Sequence, residues 1–391
     1  MRFTTKSLGE LATFKSGGTP RKSKPDYWGG PYPWISAKDM KSVVVNDSID
    51  KLTDEGFRSA KVAPKDSLLI LVRGMTLHKD VPVCLVGKDV AFNQDIKALT
   101  PNNDILPRYL LHVLRAEKYR MLRLIDSAGH GTGRFDTEIL KAYPISYPSI
   151  DAQYRLVEVA SLWDDVIEKT EQLISAKEKQ FAALTQSLIS QQCGKTKGRW
   201  PVKHLGDVFA ERTENNRGDL PLLSITRSEG IIPHGESGRK DSSNKDKAKY
   251  LRVCPGDIAY NTMRMWQGVS ALSKLEGIVS PAYTVCIPSD EMHADFVAHY
   301  FKTPWMIHQF YRYSQGLTSD TWNLKFRHFR EIKASIPPLE EQIQIANILN
   351  TARDEIKLLK QQAELYRQQK RGLMQKLLTG EWRVKANEAA A

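Results

Sequence analysis

A seven-residue hydrophobic repeat between Ile343 and Leu378 constrains this chain more than any other feature. One seam carries Ile345, Ala352, Leu359, Tyr366 and Leu373, and the other carries Leu349, Ile356, Ala363, Lys370 and Leu377. That is the a/d pattern of a coiled-coil helix, which cannot bury its stripe without a partner. No proline interrupts the run, and only Gly372 weakens it. Pro337 and Pro338 stop the preceding segment, and Glu340 and Glu341 suit a helix N-terminus. The partner lies in the same chain, 189 residues earlier, where Gln153, Asp165, Ile167, Gln172, Gln180, Leu184, Gln186 and Leu188 match Gln342, Asp354, Ile356, Gln361, Gln369, Leu373, Gln375 and Leu377. Its seams are Leu156, Trp163, Thr170, Lys177, Leu184 and Ala160, Ile167, Ile174, Phe181, Leu188. The polar seam residues Thr170, Lys177 and Lys370 are candidates for fixing register.

The segments between the helices repeat as well. "KSLGEL" (Lys6–Leu11) answers "KHLGDV" (Lys203–Val208), and "YPISYPSIDAQ" (Tyr143–Gln153) answers "KASIPPLEEQ" (Lys333–Gln342). "APKDSLLILVRG" (Ala63–Gly74) answers "CPGDIAYNTMR" (Cys254–Arg264) with Asp66 on Asp257, and "SAGHGTGRF" (Ser127–Phe135) answers "SQGLTSDTW" (Ser314–Trp322). A duplication follows, in the order domain, helix, domain, helix: residues 1–150, 151–193, 194–339 and 340–391. Ser67–Val72, Val81–Val86 and Ile278–Ile287 read as strands, Leu106–Leu124 and Ala294–Tyr313 as amphipathic helices, and Ser16–Pro33 as loop. Each domain is therefore expected to be α/β or α+β, with Cys193–Pro201 as a flexible link.

Charge separates the parts. Residues 1–150 carry +7, 151–193 carry −3, 194–339 carry +6 and 340–391 carry +2, for a total of +12. Basic globular domains favour a polyanion such as DNA. The cysteines, Cys84, Cys193, Cys254 and Cys286, form no C-x-x-C pair, so neither a zinc site nor a disulfide framework is expected. No signal-peptide pattern and no spanning apolar run is found, which points to the cytoplasm.

Catalytic motifs are missing from the sequence. Gly129, Gly131 and Gly133 lack the G-x-G-x-x-G spacing and follow a helical stretch, so a turn is the better reading. There is no P-loop, no N-P-P-Y tetrapeptide of adenine methyltransferases ("SPAY", Ser280–Tyr283, reads as a strand start), and no nuclease-like cluster of acids with a lysine. His78, His112, His130, His204 and His234 stand alone. What remains is nucleic-acid contact. "KSGGTPRKSK" offers Lys15, Gly17, Gly18, Thr19, Arg21, Lys22 and Lys24, with exposed backbone N–H groups and cations suited to phosphates. Arg73, His78 and Lys79 follow a strand, and the counterpart turn holds Asn261, Arg264, Trp266 and Gln267, whose forks suit base edges. Lys38 answers Arg227, and Arg134, Arg212, Arg217 and Arg327 complete the set. Taken singly, any of these fits an ordinary solvated loop, and Met265 and Trp266 fit a core.

"LGELATFKSGGTPRKSKPDYWGGPYPWISAKDM" (Leu8–Met40) resembles the opening of a target-recognition domain in specificity subunits of type I restriction–modification systems. "YPSIDAQYRLVEVASLWDDVIEKTEQLISAKEKQFAALTQSLI" is similar to the central conserved region of that family, and "IPPLEEQIQIANIL" (Ile336–Leu349) and "LMQKLLTGEWRV" (Leu373–Val384) to its distal one. The central copy departs from the Pro-Pro-Leu-x-Glu-Gln form, which puts the geometry of its helix start in doubt. The resemblance implies two target-recognition domains, each reading half of a split double-stranded DNA sequence, held by an antiparallel coiled coil. It implies two methyltransferase subunits on the helices, with restriction subunits as further partners. S-adenosylmethionine, adenine N6-methylation and ATP-driven cleavage would belong to those partners, so this chain is expected to hold no metal, no cofactor and no active site. Competing readings are a stand-alone methyltransferase or nuclease, against which the missing motifs count, and a purely structural coiled coil, against which the two basic domains count.

Continuous helices of 36–40 residues would be roughly 55–60 Å long and would act as a ruler between half-sites. Adding four residues after Leu188 should lengthen the ruler by roughly 6 Å, or one to two base pairs of untouched spacer. Sequencing the methylated sites of the insertion variant checks this, and an active variant with an unaltered spacer rejects it.

Overall fold

The structure, a computed structural model, describes residues 2–127, 131–190, 200–226, 230–236, 246–318, 320–378 and 380–382. The expected link at Cys193–Pro201 falls largely outside these. The chain divides into two compact units, Met1–Thr170 with Gln362–Ala391, and Glu171–Gln361. Two long helices contribute to both. The central helix is Ile150–Thr185, closed by a π-helical turn at Gln186–Ser190, and the distal helix is Leu339–Leu378. The distal helix starts four residues before Ile343, because the carbonyl of Pro338 already accepts the Gln342 N–H.

Within each unit the two helices run antiparallel. In unit one, Leu156 and Ala160 pack with Met374, Leu377 and Leu378, the Trp163 ring meets Tyr366 edge-on at 6.1 Å, and Lys370 pairs with Asp164. In unit two, Phe181, Leu184 and Leu188 pack against the cluster of Ile345, Ala346 and Leu349. There Lys177 pairs with Glu355 at 2.8 Å and Glu178 with Lys360 at 2.7 Å. Two of the three polar seam residues thus meet a carboxylate on the opposing helix. Thr170 instead donates its hydroxyl to Val166 O in its own helix.

Unit one contains a five-stranded sheet in which strand Leu68–Leu71, entirely buried, lies between Val83–Val86 and Ile96–Pro101. A second, four-stranded sheet is built on Trp28–Ile35. Unit two repeats the central part as a four-stranded sheet in which Ile258–Asn261 lies between Tyr283–Pro288 and Ser270–Leu272.

Several expectations need correction. Trp28–Ile35 is a strand, not loop; Trp28, Tyr32 and Trp34 recur at even spacing and pack with Leu52 and Phe57, a period hidden by the glycines and prolines between them. Ile278–Ile287 is two strands, Gly277–Val279 and Tyr283–Pro288, because a turn from Ser280 to Tyr283 carries Pro281, which has no N–H to give a ladder. Leu106–Leu124 breaks at Glu117 into Pro107–Ala116 and Lys118–Leu122. Ala294–Tyr313 breaks into Ala294–Tyr300 and Pro304–Tyr313, where Pro304 starts a fresh helix capped by Thr303.

The duplication is visible bond by bond. Leu8 N–H donates to Tyr143 O and Leu205 N–H to Ile332 O, both at 2.8 Å. Ser7 with Glu10 and His204 with Asp207 form matching capping boxes. One register in the repeat is corrected by a residue. Asp66 N–H donates to Val86 O and Gly256 N–H to Ser273 O, both at 2.9 Å, and both residues have positive φ (66° and 94°). Asp66 therefore corresponds to Gly256, and Asp257 to Ser67. The two helix starts use one device in spite of their different sequences. Gln153 Oε1 accepts the Leu106 N–H (2.8 Å) while its Nε2 donates to Asp104 O and Pro148 O, both at 3.0 Å. Gln342 Oε1 accepts the His293 N–H (2.8 Å) while its Nε2 donates to Glu291 O (2.8 Å) and Pro337 O (2.9 Å). Both side chains are 0 % exposed.

Replacing Gln153 with Leu strands one N–H and two carbonyls in the interior. At roughly 1–3 kcal/mol per unsatisfied group, unit one should lose about 3 kcal/mol or more. Urea unfolding of Gln153→Leu beside the wild-type chain reads this, and an unshifted transition means the amide is dispensable.

Candidate nucleic-acid interface

In unit one the segment Phe92–Ile96 is the hub on which the candidate residues converge. Gly18 N–H donates to Phe92 O at 2.9 Å, Thr19 Oγ1 donates to Gln94 Oε1 at 2.6 Å, and Asn93 N–H donates to Ile35 O at 3.0 Å, just before the turn that carries Lys38. A Cβ on Gly17 would lie 1.9 Å from Asn93 O, so only glycine lets the loop approach. On the other side of the hub, Val72 and Arg73 donate their N–H groups to Asp95 O at 2.8 and 3.3 Å. Val72 O in turn accepts the Phe135 N–H at 2.9 Å. This seats a three-stranded antiparallel ribbon, Arg73–Gly74, Gly133–Arg134 and Asp126–Ser127, with Arg134 directly opposite Arg73. A Cβ on Gly133 would lie 2.8 Å from Leu77 Cβ, so this strand too depends on glycine. The turn reading of the glycine run holds at Gly131, whose carbonyl meets His78 Nε2 at 2.7 Å; Gly129 and His130 lie outside the described residues.

The loop glycines, Thr19, Lys38, Arg73, His78 and Arg134 are thus tied to one short segment, with Lys79 at the end of the same turn. Arg21 and Lys22 are exposed beyond Thr19. Lys15 and Lys24 are held locally, Lys15 on Val62 O at 2.8 Å and Lys24 on Glu55 at 3.2 Å and over the Tyr27 ring.

Unit two builds the same seat from other residues. Thr262 N–H donates to Ala282 O at 3.1 Å and Thr262 O accepts the Leu324 N–H at 2.8 Å. Leu324, not Trp322, therefore corresponds to Phe135, and the "SPAY" tetrapeptide occupies the place of the Phe92–Ile96 hub. Asn261 Oδ1 accepts the Met263 N–H at 3.0 Å, which fixes the turn from which Arg264, Trp266 and Gln267 emerge. Trp266 donates its indole N–H to Met263 O, and Trp322 meets the rings of Trp266 and Tyr311 edge-on at 5.2 and 5.0 Å. Arg327 lies apart on Phe326–Phe329, its Nε on His328, and Arg217 forms a fork with Asp219. Arg227 lies outside the described residues.

Arg212 is not available as a contact residue. Its Nε and Nη2 donate to both oxygens of Asp257 at 2.7 and 3.0 Å, and Asp257 is only 2 % exposed. A buried carboxylate needs such a fork. Sequence reading missed it because the partners stand 45 residues apart. It also missed Gln94, Asp126, Tyr311 and Trp322, which the fold brings to the candidate surfaces and which no local pattern marks.

Burial pushes His112 down to about 4, and burial likewise lowers His299. Among the described residues there is no cluster of three metal-ligating side chains, and no helix is long and apolar enough to cross a membrane.

The repeated order of the chain has a counterpart among known proteins. The family described as the type I restriction modification DNA specificity domain matches residues 2–178 and again 197–365, and the chain belongs to it. A type I restriction enzyme specificity subunit of Escherichia coli is 33% identical over 192 residues, which are 47% of this chain and 48% of that one. The chain spans about half the length of the curated relatives it matches first. Among solved structures, the S subunit of a type I restriction–modification system from M. genitalium superposes with a TM-score of 0.55 at 15% identity, covering 96% of both chains. A chain from a study of complex assembly and conformational transition in a type I R-M system reaches 0.62 at 15% identity, covering 97% of this chain and 98% of that one. At such identities the likeness establishes the fold.

Arg212→Ala should lower the stability of unit two by about 3–5 kcal/mol, because it leaves the buried Asp257 carboxylate with the Cys254 N–H but without a counter-charge. Thermal unfolding of that variant beside Arg217→Ala, whose more exposed pair should matter by under about 1 kcal/mol, separates the two roles.

Proposed function

We propose that the chain is the sequence-reading subunit of a type I restriction–modification complex. Residues 1–150 and 194–339 each read one half of a bipartite double-stranded DNA target. The segments 151–193 and 340–391, which contain the long helices, space the two readers and dock two methyltransferase subunits, with restriction subunits joining the assembly. The chain works in the cytoplasm and performs no chemistry of its own; methylation at adenine N6 and cleavage are the work of its partners. The observation that carries this reading is the repeated seat. Two basic segments offer the same main-chain cradle, at Val72 and at Thr262, and dress it with different side chains. Arg73 and Arg134 of unit one correspond to Met263 and Asn323 of unit two. A duplicated cradle with unlike decoration suits two different half-sites.

Lys22 and Lys79 serve the phosphates, while Arg264 and Gln267 serve base edges. The test exchanges residues 202–339 for the matching segment of another such subunit and maps methylated adenines in cells that supply the methyltransferase. One half of the target should change while the other stays. Change in both halves, or in neither, refutes the modular reading, and transfer of labelled methyl groups to DNA by the purified chain alone refutes its non-catalytic role.

A further inference from the structure

We propose that the ribbon row Asp126–Arg134–Arg73 of unit one reads guanine–cytosine base pairs in the DNA major groove. This rests on the half-site reading above and adds to it the chemistry of one half-site. The three residues are direct cross-strand neighbours, Asp126 opposite Arg134 and Arg134 opposite Arg73. Directly opposed residues point to the same face of a sheet, with Cβ atoms about 4.5–5.5 Å apart. All three are exposed. Two guanidinium groups side by side repel one another, and a like-charged cross-strand pair destabilises a ribbon. The carboxylates that offset the repulsion, Asp126 and Asp136, both lie against Arg134. Among the described residues no carboxylate pairs with Arg73. Arg134 has Asp136 Oδ2 at 3.9 Å, while Oδ1 of the same carboxylate caps a helix through the N–H groups of Glu138 and Ile139. A row that sets two arginine forks beside one carboxylate, with Arg73 at its end, presents several donors and an acceptor side by side to one ligand.

The shape of the ligand follows from the row. Strands lie about 4.8 Å apart, so the row spans roughly 10 Å, or about three base-pair steps. A β-ribbon fits the major groove, and there the arginine fork matches guanine O6 and N7 while a carboxylate accepts from cytosine N4. The ribbon is also stiff enough to discriminate. Its main chain is held on Val72 O by Phe135, Gly131 O meets His78 Nε2, and its middle strand sits on Leu77 where only Gly133 fits. Among the described residues, unit two has no such row. Asn323, in the place of Arg134, spends its amide on the carbonyls of Gln315 and Thr321.

The experiment maps methylated sites for the full complex carrying wild-type chain, Arg73→Ala, Arg134→Ala and Arg73→Lys. The half-site that survives exchange of residues 202–339 belongs to unit one. It should contain fixed guanines, and each alanine variant should lose selection at one of them by roughly 10- to 100-fold, with the unit-two half unchanged. Arg73→Lys should keep affinity but lose selection, since it retains the charge without the fork. An independent arm leaves the protein untouched: 7-deazaguanine in that half-site removes N7 and should weaken wild-type binding, while the same replacement in the other half should not pass through Arg73 or Arg134. A bipartite target whose unit-one half has no fixed guanine, or undiminished selection in both alanine variants, overturns this inference and leaves the half-site reading standing. Absence of any bipartite pattern with the wild-type chain overturns the half-site reading itself, and this inference with it.

Discussion

A single buried amide sets where each long helix begins and what it is fastened to. Gln153 and Gln342 each satisfy one N–H and two carbonyls that belong to the chain before the helix and to the globular layer beside it. Glutamine is suited to this because its side chain carries an acceptor and two donor hydrogens at the end of one flexible arm. An apolar substitute would fill the space and leave three backbone groups dry, so the interior can accept few alternatives. With the helix start fixed, the heptad phase determines which residues face the opposing helix. The hydrophobic seam then supplies adhesion, and ion pairs such as Lys177 with Glu355 select the register. Lys370 belongs to this system under greater constraint, since burial lowers its pKa and the Asp164 carboxylate opposes that loss.

The long helices were legible because periodicity accumulates over many turns, and the match of Gln153 to Gln342 already singled out the residues that make the clamp. Shorter elements were less legible for specific reasons. Trp28–Ile35 alternates correctly, but Gly29, Gly30, Pro31 and Pro33 stand between its aromatics and give it the composition of a loop. The slip between Asp66 and Asp257 arose because an aspartate in one copy and Gly256 in the other both accept positive φ, so identity of residue misled where identity of backbone conformation governs. Arg212 looked like every other loop arginine until Asp257 was brought beneath it. Asp126 escaped for the opposite reason: an acid in a search for cations counts against itself until the sheet register sets it beside Arg134.

The two seats show how one scaffold holds unlike surfaces. In unit one, two arginines and an aspartate gather on a ribbon. In unit two, the ring of Trp322 joins Trp266 and Tyr311 into an aromatic bed beside Arg264. Guanidinium forks seek planar acceptors, whereas an aromatic bed offers packing and edge contacts that depend less on charge. The hydrogen bonds that seat Phe135 and Leu324 are the same in kind and within 0.1 Å in length, at 2.9 and 2.8 Å, while the chain beyond them differs: a three-stranded ribbon in unit one and an isolated bridge between Gln315 and Asn323 in unit two.

Those seating bonds run from peptide group to peptide group, and a peptide group is present whatever residue carries it. Substitution at Val72, Phe135, Thr262 or Leu324 can alter packing but cannot delete the donor or acceptor, short of proline. The neighbouring positions that face outward are therefore unusually free to drift. A lineage could trade Arg73 or Met263 for other side chains one codon at a time, passing through intermediates that still fold, and so acquire a new preference without ever rebuilding the frame that displays it.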